Sequence, residues 1–403
     1  MKKKIYIIVI LIITIFPINI KALEYPELHY NNAIIYDLTD KKTLYEVKSE
    51  EKVSIASLTK LMTIIIAIEN NPDLNKKIIY DQKMSNNVAW YASKAGFRVG
   101  DELTIYDLLY GAMLPSGADA TVALAITTSG SLEDFIILMN KKAAEIGMTN
   151  SNFVNVHGLD EENHYSTAKD IKILLEYALQ NEEFKKIYTT KEYTLSTGKI
   201  IKSTVERQKN YLNLDLSKIL GSKTGTTGNA GLCISVLMKH QNHEIIIITL
   251  GAPILDGNNP YNVIDATKLI SFIEENYSNQ TLTKKNDLIK TIKVENSKIN
   301  NYKIKVGNNL SLFLENSFNI EDFEVKYTGI NKLSYKNTKG QKLGTIKYYY
   351  KNKEIFSEDI FLNVKIEPDY LKILNNNKKK ILLISLIIII LVSTTTILIK
   401  RVK

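Results

Sequence analysis

The spacing of apolar residues changes near residue 280, and this change divides the chain into two kinds of structure. Before it, apolar residues recur at helical spacing in several segments, with alternating or β-branched runs near both ends of the same region. After it, from residue 291 to residue 365, the pattern consists of short strands separated by polar turns. The sequence therefore predicts an α/β domain followed by a small all-β sandwich domain.

The first region has strands at its two ends and helices between them. We expect a hairpin over residues 32–47 and a strand pair at residues 231–239 and 244–250, so that both ends of the domain contribute to one antiparallel sheet. We expect domain boundaries at residues 23–285 and 286–366, with a polar linker over 367–380. Helical patterns cover residues 57–68, 104–113, 132–146, 168–179 and 263–276.

Both ends of the chain are basic, whereas the part between them is nearly neutral. The net charge is +9, but residues 1–22 carry four lysines and residues 378–403 carry six basic residues, with no acid in either segment. The remainder therefore has a charge of about −1. This distribution argues against a nucleic-acid partner.

The same two ends predict export and attachment to a membrane. In residues 1–22, lysines precede an apolar run, Pro17 and the small Ala22, as in a signal peptide that is cleaved after Ala22 or retained as an uncleaved anchor. Residues 381–399 form an uncharged run, which as a helix would span roughly 28 Å against a hydrocarbon core of about 30 Å. We expect a transmembrane helix there, with the folded domains on the extracytoplasmic side.

Cysteine and histidine give no sign of a disulfide or a metal site. The single cysteine, Cys233, excludes an internal disulfide, and its apolar neighbours predict a buried strand residue. A thiol nucleophile is the less favoured alternative. The five histidines match no zinc-binding pattern, so we expect no metal and no cofactor, and we expect His157 to shape a loop.

Three short motifs carry the residue types of a serine acyl-transfer site. Ser57 and Lys60 lie three apart at a predicted helix start, and a lysine desolvated among apolar residues can be the base that a serine nucleophile needs. Ser116 follows a helix-breaking proline in a turn that would expose its hydroxyl. The third motif is a strand with a fixed cation and a glycine that permits close backbone approach, formed by Lys223, Thr224, Gly225 and Thr226.

With these motifs in this order, the chain resembles the serine-type D-alanyl-D-alanine carboxypeptidases, which are low-molecular-mass penicillin-binding proteins. The resemblance implies a β-lactamase/transpeptidase-like first domain, in which an antiparallel sheet packs with a helical cluster. The all-β domain with a C-terminal membrane attachment is similar to the family's usual second half. Further matching segments between residues 30 and 280 include Asp107-Leu108-Leu109-Tyr110-Gly111, His157-Gly158-Leu159 and Ser166-Thr167-Ala168-Lys169-Asp170.

The resemblance implies a mechanism. Lys60, when neutral, would take the proton of Ser57, which would attack the carbonyl of the penultimate D-alanine. The backbone N–H groups of Ser57 and Thr226 would form the oxyanion hole. Ser116 would help to pass a proton to the departing amine.

The same resemblance implies the partners and the residues that bind them. Lys223 and Thr224, together with Gly225 and Thr226, would hold the terminal carboxylate of a peptidoglycan stem peptide that ends in D-Ala-D-Ala. β-Lactam antibiotics would be covalent inhibitors. No cofactor is implied.

Two positions depart from the family's pattern. Ala118 stands where the family's S-x-N motif ends in asparagine, and the loss would slow the enzyme unless Asp119 or a loop asparagine fills the gap. An arginine beyond the K-T-G strand is also missing, so Lys223 and the neighbouring hydroxyls would have to bind more of the substrate carboxylate. The arginines of the whole chain are Arg98, Arg207 and Arg401.

Several other activities use the same acylation chemistry. A β-lactamase would need a deacylating base, typically the glutamate of an E-x-x-L-N loop, and no such string occurs. D,D-endopeptidase and transpeptidase activities differ only in the leaving amine or the acceptor, so the sequence does not separate them from a carboxypeptidase. A non-catalytic penicillin-binding module, suggested by Ala118, is the alternative from another functional class.

Overall fold

The computed structural model describes residues 25–212, 214–255 and 259–402, so the signal peptide expected over residues 1–22 lies outside the described residues. The chain forms two compact units, which divide after Ser278. The first unit contains a sheet with many helices, and the second contains strands followed by two C-terminal helices. The predicted order, an α/β domain followed by a β domain, is confirmed.

A five-stranded antiparallel sheet forms the centre of the first unit. The strands of this unit are β1 (Asn32–Asp37), β2 (Lys42–Val47), β3 (Lys77–Ile79), β4 (Glu102–Thr104), β5 (Glu192–Thr194), β6 (Ile200–Lys202), β7 (Gly221–Thr227), β8 (Gly231–His240) and β9 (His243–Ala252). The central sheet has the order β2-β1-β9-β8-β7. Pairing of β1 with β9 brings the two ends of the domain together, and Ile35 lies opposite Ile247.

The helices include all five that the sequence predicted and four that it did not. They are α1 (Thr59–Asn70), α2 (Gln82–Asn86), α3 (Ile105–Met113), α4 (Ala118–Ser129), α5 (Leu132–Ile146), α6 (Ala168–Ala178), α7 (Glu182–Thr189), α8 (Thr204–Leu212) and α9 (Tyr261–Asn276). Helices α2, α4, α7 and α8 are the unpredicted ones. Helix α4 is rich in small apolar residues and is buried along most of its length, so it shows little of the amphipathic spacing that marks a surface helix.

The core of the first unit lies between the sheet and the helices. The four residues Ile245 to Ile248 of β9 are all buried, and because successive strand residues point to opposite faces, both faces of the sheet are covered. Helix α9 packs on β8 and β9, and α6 packs on β1 and β9. Every residue of α1 from Thr59 to Ile68 is buried. The lysine of the first motif therefore lies on a buried helix.

The second unit is built from short strands, as the spacing of its apolar residues predicted. Its strands are β10 (Tyr277–Thr283), β11 (Leu288–Glu295), β12 (Asn301–Lys305), β13 (Leu310–Glu315), β14 (Phe323–Gly329), β15 (Lys332–Ser334), β16 (Lys342–Tyr350) and β17 (Lys353–Phe361). They pair as β10-β13, β12-β11-β15 and β14-β16-β17. The buried side chains of this unit include Ile292, Val294, Ile304, Leu333, Leu343, Ile346, Tyr348 and Leu362.

Two helices, α10 (Tyr370–Asn376) and α11 (Lys378–Val402), follow the last strand. Among residues 25–212, 214–255 and 259–402, no single helix is long and apolar enough to cross a bilayer. Helices α4 and α5 have the length and composition of a membrane span only when taken together, and the pair is bent by 88°. Helix α11 contains the shorter apolar stretch Ile381–Thr395. The transmembrane helix expected at residues 381–399 stays a prediction.

Candidate active site

Ser57 lies at the partly exposed end of a buried segment. It is the middle residue of a 3-10 turn, Ala56–Leu58, that directly precedes α1, and its two neighbours in that turn are buried. Ala56 has a left-handed backbone with φ of 46°, a conformation that is unfavourable for a residue with a Cβ atom. This turn leaves the Ser57 side chain on the wall of a cleft.

Lys60 lies one helical turn after Ser57, and its amine is within hydrogen-bond distance of the serine hydroxyl. The Nζ atom is 2.7 Å from Ser57 Oγ and 2.7 Å from the main-chain oxygen of His157. Burial lowers the pKa of Lys60 to about 7, although the carboxylate of Asp119 acts in the opposite direction. A large share of the Lys60 amine is therefore neutral near pH 7 and can accept a proton from Ser57.

Ser116 and Lys223 form a second hydroxyl–amine pair, although they are far apart in the sequence. The backbone of Ser116 is left-handed, with φ of 62°, and its Oγ accepts a hydrogen bond of 2.8 Å from Lys223 Nζ. The same amine donates to the main-chain oxygen of Thr224 at 2.7 Å. Burial and then the charges of Lys60 and Arg207 lower the pKa of Lys223 well below its usual value. Lys223 is 1% exposed, so its amine lies behind the wall of the cleft.

Strand β7 forms the opposite edge of the cleft and passes very close to the nucleophile. A Cβ atom added to Gly225 would lie 2.9 Å from Ser57 N and 2.9 Å from the Cβ of Ala56, so any larger residue would push the strand away. Thr224 Oγ1 is 2.6 Å from Thr204 Oγ1 on α8. Thr224, Gly225 and Thr226 all line the cleft.

Two cavities meet at Ser57. The first, which we call the arginine cavity, has a volume of about 550 Å³, and its walls include Ser57, Ser116, Thr204, Arg207 and Thr224. The second, which we call the tyrosine cavity, has a volume of about 320 Å³, and its walls include Lys60, Tyr91, Ala118, His157, Asp160 and Thr226 as well as Ser57. The predicted site residues are thus brought together around one hydroxyl that is open to both cavities.

The chain that forms this site is similar in sequence to proteins of one family. The sequence profile of the D-alanyl-D-alanine carboxypeptidase family matches residues 19–254, and that of the C-terminal domain of penicillin-binding protein 5 matches residues 277–368. The D-alanyl-D-alanine carboxypeptidase DacF of Bacillus subtilis is 31% identical over 330 residues, which cover 78% of this chain and 80% of DacF.

The chain belongs to the D-alanyl-D-alanine carboxypeptidase family.

The predicted family, low-molecular-mass penicillin-binding proteins of the serine carboxypeptidase type, is thereby confirmed, and so is the prediction of a serine hydrolase. Solved structures agree. The Streptomyces K15 DD-transpeptidase is 28% identical, with a TM-score of 0.55, and covers 62% of this chain and 98% of its own. Penicillin-binding protein 5 from Haemophilus influenzae, at 23% identity, has a TM-score of 0.62 over 86% of this chain and 100% of its own, and supports the shared fold.

One cation that the family's pattern did not indicate lines the cleft. Arg207 lies on α8, sixteen positions before Lys223, and its side chain contributes to the wall of the arginine cavity. Because the K-T-G strand is not followed by the family's arginine, the sequence predicted that Lys223 contacts the substrate carboxylate. The signal that could have identified Arg207 is the scarcity of arginine, but because α8 was not predicted, nothing indicated where this residue would lie.

The structure also decides whether Asp119 can replace the family's asparagine at position 118. The Asp119 carboxylate accepts hydrogen bonds from the N–H groups of Ala95, Gly96 and Phe97, at 2.8, 2.7 and 3.2 Å. It therefore holds the loop beside the cleft and is not available to fill the gap. Ala118 itself is buried, and its methyl group faces the tyrosine cavity.

The pKa values of Cys233 and His157 do not suit a thiolate nucleophile or an imidazole base near neutral pH. Cys233 is buried in β8 opposite Gly225, and burial raises the pKa of its thiol to about 12. Burial lowers the pKa of His157 to about 3, so its ring is neutral at physiological pH. The thiol-nucleophile alternative is therefore disfavoured, and the contribution of His157 to the site is the main-chain oxygen that accepts from Lys60.

Among the described residues, one group of side chains has atoms close enough to share a metal ion, formed by Asp37, Asp40 and His243 at the joined ends of β1 and β9. The Asp37 carboxylate already accepts from the N–H groups of Thr39 and Asp40 and lies 2.8 Å from the His243 ring nitrogen. These hydrogen bonds give the cluster a structural role, in which it stabilises the end of the sheet.

Proposed function

We propose that this protein removes the terminal D-alanine from peptidoglycan stem peptides through an acyl-enzyme on Ser57. The observation that carries the proposal is the 2.7 Å approach of Lys60 Nζ to Ser57 Oγ in a buried environment that brings the pKa of Lys60 to about 7. A base with a pKa near the working pH combines a substantial neutral fraction with useful basicity. Family membership supports the same chemistry.

In the acylation step, Ser57 Oγ attacks the carbonyl carbon of the penultimate D-alanine while Lys60 takes the hydroxyl proton. The N–H groups of Ser57 and Thr226 stabilise the oxyanion, a type of contact whose loss typically costs about 3 kcal/mol. The absence of a side chain at Gly225 supports this assignment, because it lets β7 approach Ser57 N closely.

The bond to the terminal D-alanine then breaks, and the proton taken from Ser57 ends on the departing amine by way of Lys60 and Ser116. The hydrogen bond that Lys223 donates to Ser116 supports this role, because it orients the Ser116 hydroxyl and leaves the hydroxyl proton of Ser116 free to move. In the second half of the reaction, water attacks the acyl carbon, Lys60 again accepts a proton, and the proton returns to Ser57 as the ester bond breaks.

The terminal carboxylate of the substrate binds in the arginine cavity. Arg207 is the cation on its wall, and the hydroxyl groups of Thr204 and Thr224 lie beside it. A guanidinium can bind a carboxylate with two hydrogen bonds, whereas the amine of Lys223 is buried and already engaged with Ser116. Lys223 contributes through the hydrogen bonds that it donates to Ser116 Oγ and to the main-chain oxygen of Thr224.

The decisive experiment is mass spectrometry of D-alanine release from a peptide that ends in D-Ala-D-Ala, with Ser57→Ala as the control. The native protein should release one D-alanine per peptide and should be labelled by a fluorescent penicillin, because both compounds acylate the same serine. Ser57→Ala should do neither. Labelling of the variant at another serine would contradict the assignment.

The same assay separates the related activities. The Streptomyces K15 protein is named a DD-transpeptidase, and a transpeptidase would transfer the acyl group to an added amine. An endopeptidase would cleave a cross-linked dimer faster than the linear peptide, and a β-lactamase would release penicilloate with repeated turnover. A binding module would be labelled without releasing D-alanine.

We also propose that the protein is exported and anchored at the outer face of the cell membrane. In this organisation residues 1–22 are the signal peptide, 23–285 the catalytic domain, 286–366 the β domain, 367–380 the linker and 381–399 the membrane helix. The large apolar side chains of α11 between Ile381 and Val392 are 45–73% exposed, and lysines lie at both ends of the run, which supports a lipid-facing segment.

A truncation after Asn377 tests the anchor. The shortened protein should stay in the supernatant without detergent and should still be acylated by penicillin, since the described cleft lies within the first unit. A truncated protein that pellets with membranes after a high-salt wash would exclude α11 as the sole anchor.

A further inference from the structure

The two cavities that meet at Ser57 have charged side chains of opposite sign on their walls, in addition to the Lys60 amine, which has a pKa of about 7 and lines the tyrosine cavity. The arginine cavity has a guanidinium on its wall, whereas the tyrosine cavity has the carboxylate of Asp160 at its rim. This carboxylate is held in place, because Oδ1 accepts from Thr227 Oγ1 at 2.7 Å and Oδ2 accepts from the Asn229 N–H at 3.0 Å. Both oxygens keep lone pairs that can accept from a ligand.

An aromatic side chain lies on the wall of the same cavity, next to a second one in the sequence. Tyr91 is 64% exposed and lines the tyrosine cavity, and the neighbouring Trp90 is 86% exposed. Their rings meet edge to face, with centroids 5.5 Å apart. A ring face attracts a cation within about 6 Å. Because Ala118 has only a methyl group, it leaves room inside the same cavity.

The substrate must cross from one cavity to the other. If the terminal carboxylate binds in the arginine cavity, the scissile carbonyl lies at Ser57, and the acyl part of the peptide continues on the other side of that hydroxyl. We infer that the tyrosine cavity binds an amine on a side chain of the acyl part, with Asp160 as the anion and Tyr91 as the aromatic wall. This inference rests on the proposed function, since it assumes the direction in which the peptide lies.

The alternative is that Asp160 only braces the turn between β7 and β8. If the role of Asp160 is only structural, its substitution would affect folding and would change the rates for all substrates by the same factor. Selection of an amine would change the ratio of rates between a charged substrate and a neutral one. The ratio therefore distinguishes a binding role from a structural role.

The test compares two peptides that differ only in one charge, Nα-acetyl-lysyl-D-alanyl-D-alanine and the same peptide with the ε-amine acetylated. The native protein should favour the amine peptide in kcat/KM by roughly three- to fivefold, the upper part of the range expected of an exposed ion pair. In Asp160→Asn the ratio should fall to within about twofold of one, and in the native protein it should shrink at high salt. Glu162→Gln removes an exposed carboxylate two positions away that does not line the cavity, and it should keep the native ratio.

A second variant covers the possibility that Asp160→Asn loosens the turn. Tyr91→Leu leaves the hydrogen bonds of Asp160 unchanged and should lower the preference for the amine peptide while the rate on the acetylated peptide stays measurable. Equal rates on the two peptides in the native protein, or an unchanged ratio in both variants, would overturn the inference. Failure of the proposed function gives a different result, in which the native protein releases D-alanine from neither peptide.

Discussion

Lowering the pH from 8 to 6 should slow the acylation of Ser57 by penicillin about tenfold, because the neutral form of Lys60 is lost. The pKa of Lys60 is lowered to about 7 by burial, from an ordinary value of 10.5. The neutral fraction is then about 91% at pH 8 and about 9% at pH 6. The sign follows from the chemistry, since only the neutral amine accepts the serine proton, so activity rises with pH and reaches a plateau above pH 8.

A solvated lysine would behave differently over the same range. With a pKa of 10.5, its neutral fraction would be about 0.3% at pH 8 and would still increase tenfold for each further pH unit. The plateau therefore reports burial of the amine. Helix α1, which is buried from Thr59 to Ile68, provides that burial.

The assay is the second-order rate of labelling by a fluorescent penicillin from pH 5.5 to pH 9.5 at constant ionic strength. His157→Asn is the matched control, because it removes the imidazole ring on the wall of the tyrosine cavity and keeps the main-chain oxygen that contacts Lys60. The inflexion near pH 7 should remain in this variant. A rate that rises without a plateau through pH 9, or an inflexion that disappears with His157, would refute the assignment of Lys60 as the base.

The remaining predictions concern the walls of the cleft. Gly225→Ala should lower the acylation rate at least about 100-fold, because the new Cβ atom would lie 2.9 Å from Ser57 N. Gly228→Ala is the control and should keep the native rate, because its Cβ atom would have one neighbouring atom, at 3.9 Å. Ala118→Asn should raise the acylation rate about 5- to 150-fold, the value of one recovered hydrogen bond, and equal rates would show that the substrate is positioned by other groups. Arg207→Gln should raise KM about 10- to 100-fold for a peptide with a free C-terminal carboxylate and should leave KM unchanged for the C-terminal amide of that peptide. An equal rise of KM for the two peptides would show that Arg207 does not bind the carboxylate.

Local features of the chain predicted much of the fold. The five predicted helices and the order of an α/β domain and a β domain follow from periodicity, which depends on residues only a few positions apart. Helix α4 was missed because it is apolar on nearly all sides. Helices α7 and α8 span only eight and nine residues, although α7 has a helix signal in its Asn181 cap and in the buried Phe184, Ile187 and Tyr188.

The sequence by itself determined the pair formed by Ser57 and Lys60, because residues three apart at the start of a helix are neighbours whatever the rest of the chain does. Only the tertiary structure decided that Lys223 contacts Ser116, that Arg207 lines one cavity and that Asp160 lines the other. The physical reason is that these contacts join segments far apart in the chain, and that the pKa of Lys60 depends on how completely other helices exclude water from it.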